Sequence, residues 1–466
     1  MTNRYYSPRS VSIVATELAW LFLSLWVAVG FDLALRGADV RPTRLVPQVS
    51  FAALLYLAAF YYSDLYNFSE LRLRREIVAA GVRAFSTLAL IFGVLLLFTQ
   101  WLAVHSSTML LHLLVTTAFV ILVRTRIDGV LTHYGVFTRT AIVGTGSEAR
   151  ALAAEILKRP ENGHKVMWFV SPDGKTTAIE VGTPNPGVCT VPVIPAATLM
   201  QRAREAGIKR ILVATADLGA TLPVDELLRC KAEGIGVEDG HTFYERLLGR
   251  ILTDRLRPEW LIFSDGFVRS AGARAAKRFV DLVAATGLLV VTLPLCLLVA
   301  LAIKLGDRGP VFFGQVRVGL QGKPFTLWKF RSMRVDAEAK TGATWANAND
   351  PRITWVGRWI RALRIDEIPQ GWNVLRGEMS FVGPRPERPE FVSTLTQQIP
   401  YYEYRHTLRP GITGWAQVNF PYTATVEDSR EKLEYDLYYL KNFSVLMDLF
   451  ILFRTVKIIL FGWGSR

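Results

Sequence analysis

Cysteine is scarce in this chain. Its 466 residues include three, Cys189, Cys230 and Cys296, and none stand in a CxxC spacing. An odd count without paired spacing argues against a disulfide framework or a zinc site and fits a reducing compartment. Acidic residues are also few: 40 Asp and Glu face 54 Lys and Arg, a formal charge of +14 and a pI near 9.8. Such a surplus suits nucleic acid, an anionic membrane face or a phosphorylated substrate. No tyrosine is followed four residues later by lysine, so the catalytic pair of short-chain dehydrogenases is missing. No internal repeat is present.

Apolar residues, by contrast, are abundant. They make up 51% of the chain, with a mean hydropathy of +0.25. Four apolar segments open the sequence, at about Val11–Phe31, Val46–Tyr62, Phe85–Val104 and Thr108–Val123. A spanning helix needs roughly 20 apolar residues, with about 17 as a lower limit, so a four-helix transmembrane domain is expected over residues 1–135. No signal-peptide cleavage site follows the first segment, which is therefore expected to be retained. Arg72, Arg74 and Arg75 between spans two and three, and Arg124 and Arg126 after span four, put those loops and both chain ends in the cytoplasm by the positive-inside rule. Arg36, Arg41 and Arg44 in the first loop oppose that orientation. Glu17 inside span one is read as a group satisfied within the bundle. The membrane segments favour lipid or a phosphorylated substrate over nucleic acid as the partner of the positive charge.

The pattern then changes to an α/β type, assigned to residues 136–260. Strands are read at Thr140–Val143, Val166–Val170 and Arg210–Val213, and helices at Ala149–Leu157 and Leu199–Ala206. Gly144, Gly146 and Ala149 in GTGSEA resemble a dinucleotide-binding turn, and Asp173 stands roughly where a ribose-binding acid is expected. A structural or regulatory Rossmann-like domain, of the CoA/NAD-binding type, is the reading taken. Gly174–Pro195, rich in Thr, Pro and Gly, reads as loop.

A fifth apolar segment, Phe279–Ile303, is interrupted by Pro294 and flanked by Lys277, Arg278, Lys304 and Arg308. Positive charge at both ends puts both ends on one side. A mid-helix proline allows a bend. The expectation is a re-entrant helix that breaks at Pro294 within one leaflet. The C-terminal Phe443–Phe461 reads as an interfacial amphipathic helix, with Tyr435, Tyr438 and Tyr439 before it as a headgroup-level belt.

From Gly309 on, basic residues recur (Lys329, Arg331, Arg364 and Arg385 among them) around one acidic pair, Asp366-Glu367. That arrangement suits a multiply charged phosphate ester with a metal ion, although lipid headgroups would also attract such a basic face. Pro369 and Gly377 predict a helix from about the acidic pair to Arg376. One carboxylate there can attack phosphorus and its neighbour can hold Mg²⁺. Standing alone, Asp-Glu before Pro is an ordinary helix start.

The pair has company. GPVFF at Gly309–Phe313, KFRSM at Lys329–Met333, DEIPQ at Asp366–Gln370, NVLRGEMSFVGPRP at Asn373–Pro386 and RPGITGWAQVN at Arg409–Asn419 occur in one order. Over Lys277–Asn419 the chain closely resembles the bacterial sugar transferase family, the monotopic phosphoglycosyl transferases. With the preceding spans and α/β region it resembles that family's large subclass. RLRPEWLIFSDGFVRS at Arg255–Ser270 is similar to sugar transferases of exopolysaccharide clusters linked to PEP-CTERM sorting.

The resemblance implies a mainly α, membrane-embedded catalytic domain over residues 261–466, with the re-entrant helix at 279–303. It implies that Asp366 attacks the β-phosphate of a UDP-sugar, UDP-glucose or UDP-galactose, and that undecaprenyl phosphate then takes the phosphosugar, starting an exopolysaccharide or other surface glycan. Glu367 would hold Mg²⁺, and Lys329, Arg331, Arg364 and Arg385 would cradle phosphates or the nucleotide. A homodimer in the bacterial inner membrane, its catalytic domain facing the cytoplasm, is the implied setting, with no nucleic acid partner. Two positions depart from the family pattern: Leu293 precedes Pro294 where a serine is common, and Gly371 replaces a large apolar residue. Two other classes compete, a nucleotide-sugar dehydratase or epimerase and a non-catalytic membrane scaffold. The missing Tyr-x-x-x-Lys pair counts against the first, and the intact Asp366-Glu367 pair against the second.

Overall fold

The computed structural model describes residues 8–35, 42–66, 74–98, 105–133, 137–159, 162–171, 177–182, 188–215, 222–253, 266–267, 270–335, 352–420 and 425–461. The chain divides into two compact units, one ending at Leu247 and the other running Leu248–Arg466.

The first unit opens with α1 (Pro8–Leu35), α2 (Pro42–Tyr62), α3 (Arg74–Phe98) and α4 (Ser106–His133). Leu21, Leu25, Tyr56, Phe60, Leu88 and Leu113 meet in their shared core. By length and composition α1, α3 and α4 are apolar enough to cross a membrane, whereas the apolar part of α2, Val46–Tyr62, is shorter. The third span lies earlier than the hydropathy run implied, at Arg75–Leu95. Its early charge is accommodated because Arg83 Nη2 donates to the Ser63 carbonyl at 3.3 Å. Glu17 is indeed satisfied inside the bundle: Arg124 Nε and Nη2 donate to it at 2.8 and 2.9 Å. That finding corrects the use of Arg124 as a cytoplasmic marker, because a buried, neutralised arginine carries no topological signal. Farther along the bundle, His112 bridges the Tyr56 hydroxyl at 2.8 Å and the Ser24 hydroxyl at 3.0 Å. Such polar contacts fix which helix faces meet, which apolar packing alone leaves loose in lipid.

The α/β part contains β1 (Thr138–Val143), α5 (Ser147–Lys158), β2 (His164–Ser171), β3 (Ala178–Gly182), β4 (Val188–Pro195), α6 (Leu199–Glu205), β5 (Arg210–Val213), α7 (Val224–Ala232), β6 (Gly236–Asp239) and α8 (Gly240–Leu248). The sheet order is β3-β4-β2-β1-β5-β6, and only the β3–β4 pairing is antiparallel. The expected loop at Gly174–Pro195 is therefore largely the β3–β4 hairpin. Alternation of Ile179 and Val181 toward the core outweighs the turn-like composition. Gly144, at φ +116°, is required by chain packing: a Cβ there would lie 2.4 Å from the Ala214 carbonyl oxygen. The first turn of α5 carries Glu148, whose carboxylate lies 3.6 Å from His241. Asp173 lies outside the described residues.

The second unit begins with α9 (Ala271–Asp307), whose Ser270 cap accepts from the Ala273 amide at 3.1 Å. Then come β7 (Phe312–Val318), β8 (Pro324–Phe330), α10 (Trp355–Ala362), α11 (Gln370–Arg376), β9 (Ser380–Val382), α12 (Pro389–Gln398), β10 (Gly411–Thr413), α13 (Trp415–Asn419), α14 (Val426–Lys441) and α15 (Val445–Phe461). β7 and β8 form an antiparallel hairpin, and β9 and β10 a short parallel pair. Ala271–Gly306 is the fourth helical stretch apolar enough to cross a membrane. The helix break expected at Pro294 is not seen: α9 runs helically through the proline, as one helix of 37 residues. Proline removes the amide that would bond the Val290 carbonyl. Thr292 does not replace it, because its hydroxyl donates to the Leu288 carbonyl at 2.6 Å.

α15 is two-sided. Its polar residues face the protein, with Asp448 bound to Lys277 at 2.7 Å and Arg454 to Asn419 at 2.6 Å, while Leu446, Leu449, Phe453 and Val456 are exposed. Tyr438 and Tyr439 are core residues rather than a headgroup belt. Gly371, the second departure, faces α9: a Cβ there would stand 3.1 Å from Leu289 Cγ, so the missing side chain permits a close helix crossing.

Candidate active site

The acidic pair sits just ahead of the expected helix. Ile365–Glu367 form one 3₁₀ turn and α11 begins only at Gln370. Arg364, with a left-handed backbone (φ 58°, ψ 17°), separates α10 from the turn, and Ile368 and Pro369, the latter without an amide to donate, lie between the turn and α11. For a residue with a Cβ the left-handed conformation costs about 1–2 kcal/mol, a strain that must be held by the surroundings. The turn uses its own amides, Glu367 N to Arg364 O at 3.3 Å and Ile368 N to Ile365 O at 3.2 Å. Side-chain cations, rather than open helix amides, therefore supply the positive field. Gly377 closes α11 at φ +81°, the cap expected of it.

Three of the four predicted cations converge on one carboxylate. Glu367 Oε1 lies 2.9 Å from Arg385 Nη2, 3.4 Å from Lys329 Nζ and 3.8 Å from Arg364 Nη1. Arg331 is placed differently. It is buried and packs over Gly309, where a Cβ would stand 1.8 Å from its Nη1. Asp366 is buried, and among the described residues it carries no hydrogen bond or ion pair. Burial, then the neighbouring Glu367, raise its pKa above the usual carboxylate range against the pull of Lys329, Arg361 and Arg364. Burial also opposes ionisation of Glu367, but Arg385, Lys329 and Arg364 outweigh it and hold that carboxyl well below the usual range. Adjacent carboxylates driven apart in this way divide into a fixed anion and an uncommitted group.

Other residues hold these in place. Asn373 on α11 is fully buried. It accepts from Trp328 N at 3.1 Å and donates to the Thr326 carbonyl at 2.7 Å, locking α11 to β8 and so Lys329 to the turn. Arg405 donates to the Arg385 carbonyl at 3.0 Å and to the Tyr402 hydroxyl at 2.6 Å, and it pairs with buried Asp436 at 2.9 Å. Its signal in the sequence was only one more arginine among many. Burial, opposed by Arg405, pushes Asp436 up to about 6. His406 packs edge-on near Tyr402, and burial together with Arg405 lowers it to about 4, which suits a neutral ring without a ligand role.

Among the described residues, no group of three or more His, Cys, Asp or Glu is arranged to hold a metal. Mg²⁺ needs no such cage, since it commonly binds through one or two carboxylates plus substrate phosphates. The ionised Glu367 beside Asp366 fits that role and no larger one. A cavity of about 320 Å³ adjoins Glu367, with Arg364, Arg385 and Arg405 also in its wall.

Residues 272–462 match the family model described as bacterial sugar transferase. A protein of Aeromonas hydrophila named UDP-N-acetylgalactosamine-undecaprenyl-phosphate N-acetylgalactosaminephosphotransferase is 45% identical over 240 residues, 52% of this chain and 56% of that one. An undecaprenyl-phosphate glucose phosphotransferase of Komagataeibacter xylinus is 35% identical over 337 residues, 68% of this chain and 58% of that one. A UDP-glucose:undecaprenyl-phosphate glucose-1-phosphate transferase of Caulobacter vibrioides is 45% identical over 186 residues, 40% of this chain and 69% of that one. The chain thus spans little more than half the length of the first two relatives. It belongs to the bacterial sugar transferase family.

Proposed function

We propose that the protein transfers a hexose 1-phosphate from a UDP-sugar to undecaprenyl phosphate, the step that begins a surface glycan. The observation that carries this reading is Asp366, which has no hydrogen bond or ion pair among the described residues, beside a Glu367 held ionised by three cations. A carboxylate not engaged by the described residues is available to attack. An Asp366 oxygen bonds to the β-phosphorus, the bridging P–O bond to UMP breaks, and the electron pair leaves on UMP. An oxygen of the lipid phosphate then attacks the same phosphorus and releases Asp366. Lys329, Arg364 and Arg385 stabilise charge on the phosphoryl oxygens. When bound, Mg²⁺ would be held by Glu367 and would supply further charge neutralisation.

Relatives' names include both glucose and N-acetylgalactosamine, so a panel of UDP-glucose, UDP-galactose and UDP-N-acetylgalactosamine is the direct test. UMP release dependent on lipid phosphate is the expected result, and no release with any UDP-hexose would reject the proposal. Glu367→Gln should weaken the Mg²⁺ dependence; an unchanged metal titration would remove Glu367 as the ligand.

The ionisation of Asp366 gives a pH prediction. Attack requires the carboxylate, so kcat/KM should fall as pH drops through an apparent pKa above the ordinary ~3.9 of Asp. Stability should move the other way. A raised folded-state pKa contributes stability below the unfolded value, and that contribution is lost as pH rises through the folded one. Parallel rate and melting profiles of wild type and Asp366→Asn separate the two. An acid limb at the ordinary Asp value would count against a buried nucleophile.

In this reading the catalytic unit lies on the cytoplasmic side of the inner membrane, where nucleotide sugars are, and both ends of α9 stay on that side. Arg278 before the apolar stretch of α9 and Lys304 and Arg308 after it support that topology, whereas Lys277 is buried and paired and is not counted. Single cysteines at Ala271 and Asp307, in a background lacking Cys189, Cys230 and Cys296, should both resist an impermeant thiol reagent until cells are lysed. Labelling of the Asp307 site alone in intact cells would refute it.

A further inference from the structure

The second unit starts at Leu248, ahead of α9 and of the stretch 272–462 that matches the family. Its first residues are bonded into the body of the unit. Gly249, Ile251 and Thr253 are buried, and Ile251 shares a core with Trp415, Leu433 and Leu437. Gly249 turns the chain at φ +67°, and its carbonyl accepts from Trp415 Nε1, on α13, at 2.7 Å. Glu434, on α14, holds the other end: Ile251 N donates to its carbonyl at 3.1 Å, and Thr253 N to its Oε1 at 3.1 Å. Between these points Arg250 pairs with Glu431, lies 3.6 Å from Glu434 Oε2 and stands over the Tyr435 ring. The segment therefore ties α13 to α14, and both helices serve the carboxylate site. Ala416 and Val418 of α13 line the cavity beside Glu367. On α14, buried Asp436 pairs with Arg405 at 2.9 Å. Arg405 donates to the Arg385 carbonyl at 3.0 Å, and Arg385 Nη2 lies 2.9 Å from Glu367 Oε1. A series of contacts thus leads from Arg250 through α14 to Glu367. Close-packed interiors transmit displacement, so a shift of α14 is carried to Arg385.

We propose that Gly249–Thr253 is a positioning strap for the transferase site, with Arg250 as its positioning residue: it sets α14 against α13 and, through Asp436 and Arg405, sets Arg385 against the transferred phosphoryl group. The assignment rests on the transferase reading, in which Arg385 stabilises charge that grows in the transition state. A displaced Arg385 then lowers kcat more than it weakens substrate binding. In purified full-length protein, Arg250→Ala is expected to lower kcat per folded molecule about tenfold, with the KM for UDP-sugar and for polyprenyl phosphate within about twofold of wild type. Arg250→Lys keeps a cation toward Glu431 and Glu434 and should recover most of that loss. Glu431→Gln, at a partly exposed position, loosens the same pair and covers the case in which Arg250→Ala fails to fold; it should show the same kcat-only loss at smaller size. Arg405→Lys acts farther along the series, so adding Arg250→Ala to it should cost less than the sum of the two. A wild-type protein that releases no UMP from any UDP-hexose overturns the transferase reading and the strap's role with it. Normal wild-type turnover, with an unchanged kcat per folded molecule in Arg250→Ala and Glu431→Gln, overturns the strap alone. So does a loss confined to KM, and so do fully additive losses with Arg405→Lys, which would place Arg250 outside the Arg405–Arg385 series.

Discussion

Asp366→Asn is expected to lower turnover by at least about 10⁴-fold while the protein keeps its fold. The amide has the shape of the carboxylate but lacks the charge and lone-pair basicity needed to attack phosphorus. Structural loss should be small because Asp366 makes no hydrogen bond or ion pair among the described residues. Removing its charge also ends the repulsion from Glu367 and the burial of a second anion, so the melting temperature should not fall. Glu367→Gln differs in kind: it leaves Lys329, Arg364 and Arg385 gathered around a neutral group, so stability and activity should both drop. Residual turnover near wild type in Asp366→Asn, or a phosphosugar adduct still trapped on the variant, would remove Asp366 from the nucleophile's role. A large fall in melting temperature would show instead that the carboxylate has a structural function.

The acidic pair and three of its four cations were legible in the sequence because charge stands out against an apolar, basic background. Their geometry was not. The spacing of Asp366, Pro369 and Gly377 reads as one helix, and nothing in composition reveals that Arg364 takes a left-handed conformation or that the pair sits in its own turn. Arg331 has the same residue type as Arg385 but is buried over Gly309, a placement fixed by tertiary packing. The same limit applied at Arg124, which counts as a loop charge in sequence and as half of a buried pair with Glu17 in the fold. Strands with clean alternation were readable even inside a Pro- and Thr-rich stretch, had Ile179 and Val181 been weighed above their neighbours. Asn373 and Arg405 could not be singled out, because a positioning residue is recognised by whom it bonds rather than by its type.

Asp448→Ala should destabilise the second unit by about 3–5 kcal/mol, the usual cost of leaving a buried charge without its partner. Lys277 Nζ lies 2.7 Å from Asp448 Oδ2 and 3.6 Å from Asp281 Oδ1, and all three residues are buried. Tyr439 donates to Asp448 Oδ1 at 2.6 Å, while Ser380 Oγ and Phe381 N each donate to Asp281 at 3.0 Å. The cluster thus ties the start of α9 to α15, α14 and β9, and β9 leads directly into Arg385. Loss of Asp448 leaves Lys277 with the more distant Asp281 alone and strips the Tyr439 hydroxyl of an acceptor. Lys277→Met combined with Asp448→Leu should recover much of the loss, because an apolar pair of similar volume carries no desolvation cost. The double variant still leaves Asp281 with its two hydrogen-bond donors. Melting of the single and double variants in one detergent gives the coupling. Additive effects, with an interaction under about 0.5 kcal/mol, would show that the two charges act independently and that apolar packing holds α9 in place. A strong coupling accompanied by reduced kcat in Asp448→Ala, with an unchanged KM for both substrates, would tie the cluster to the placement of Arg385 through β9.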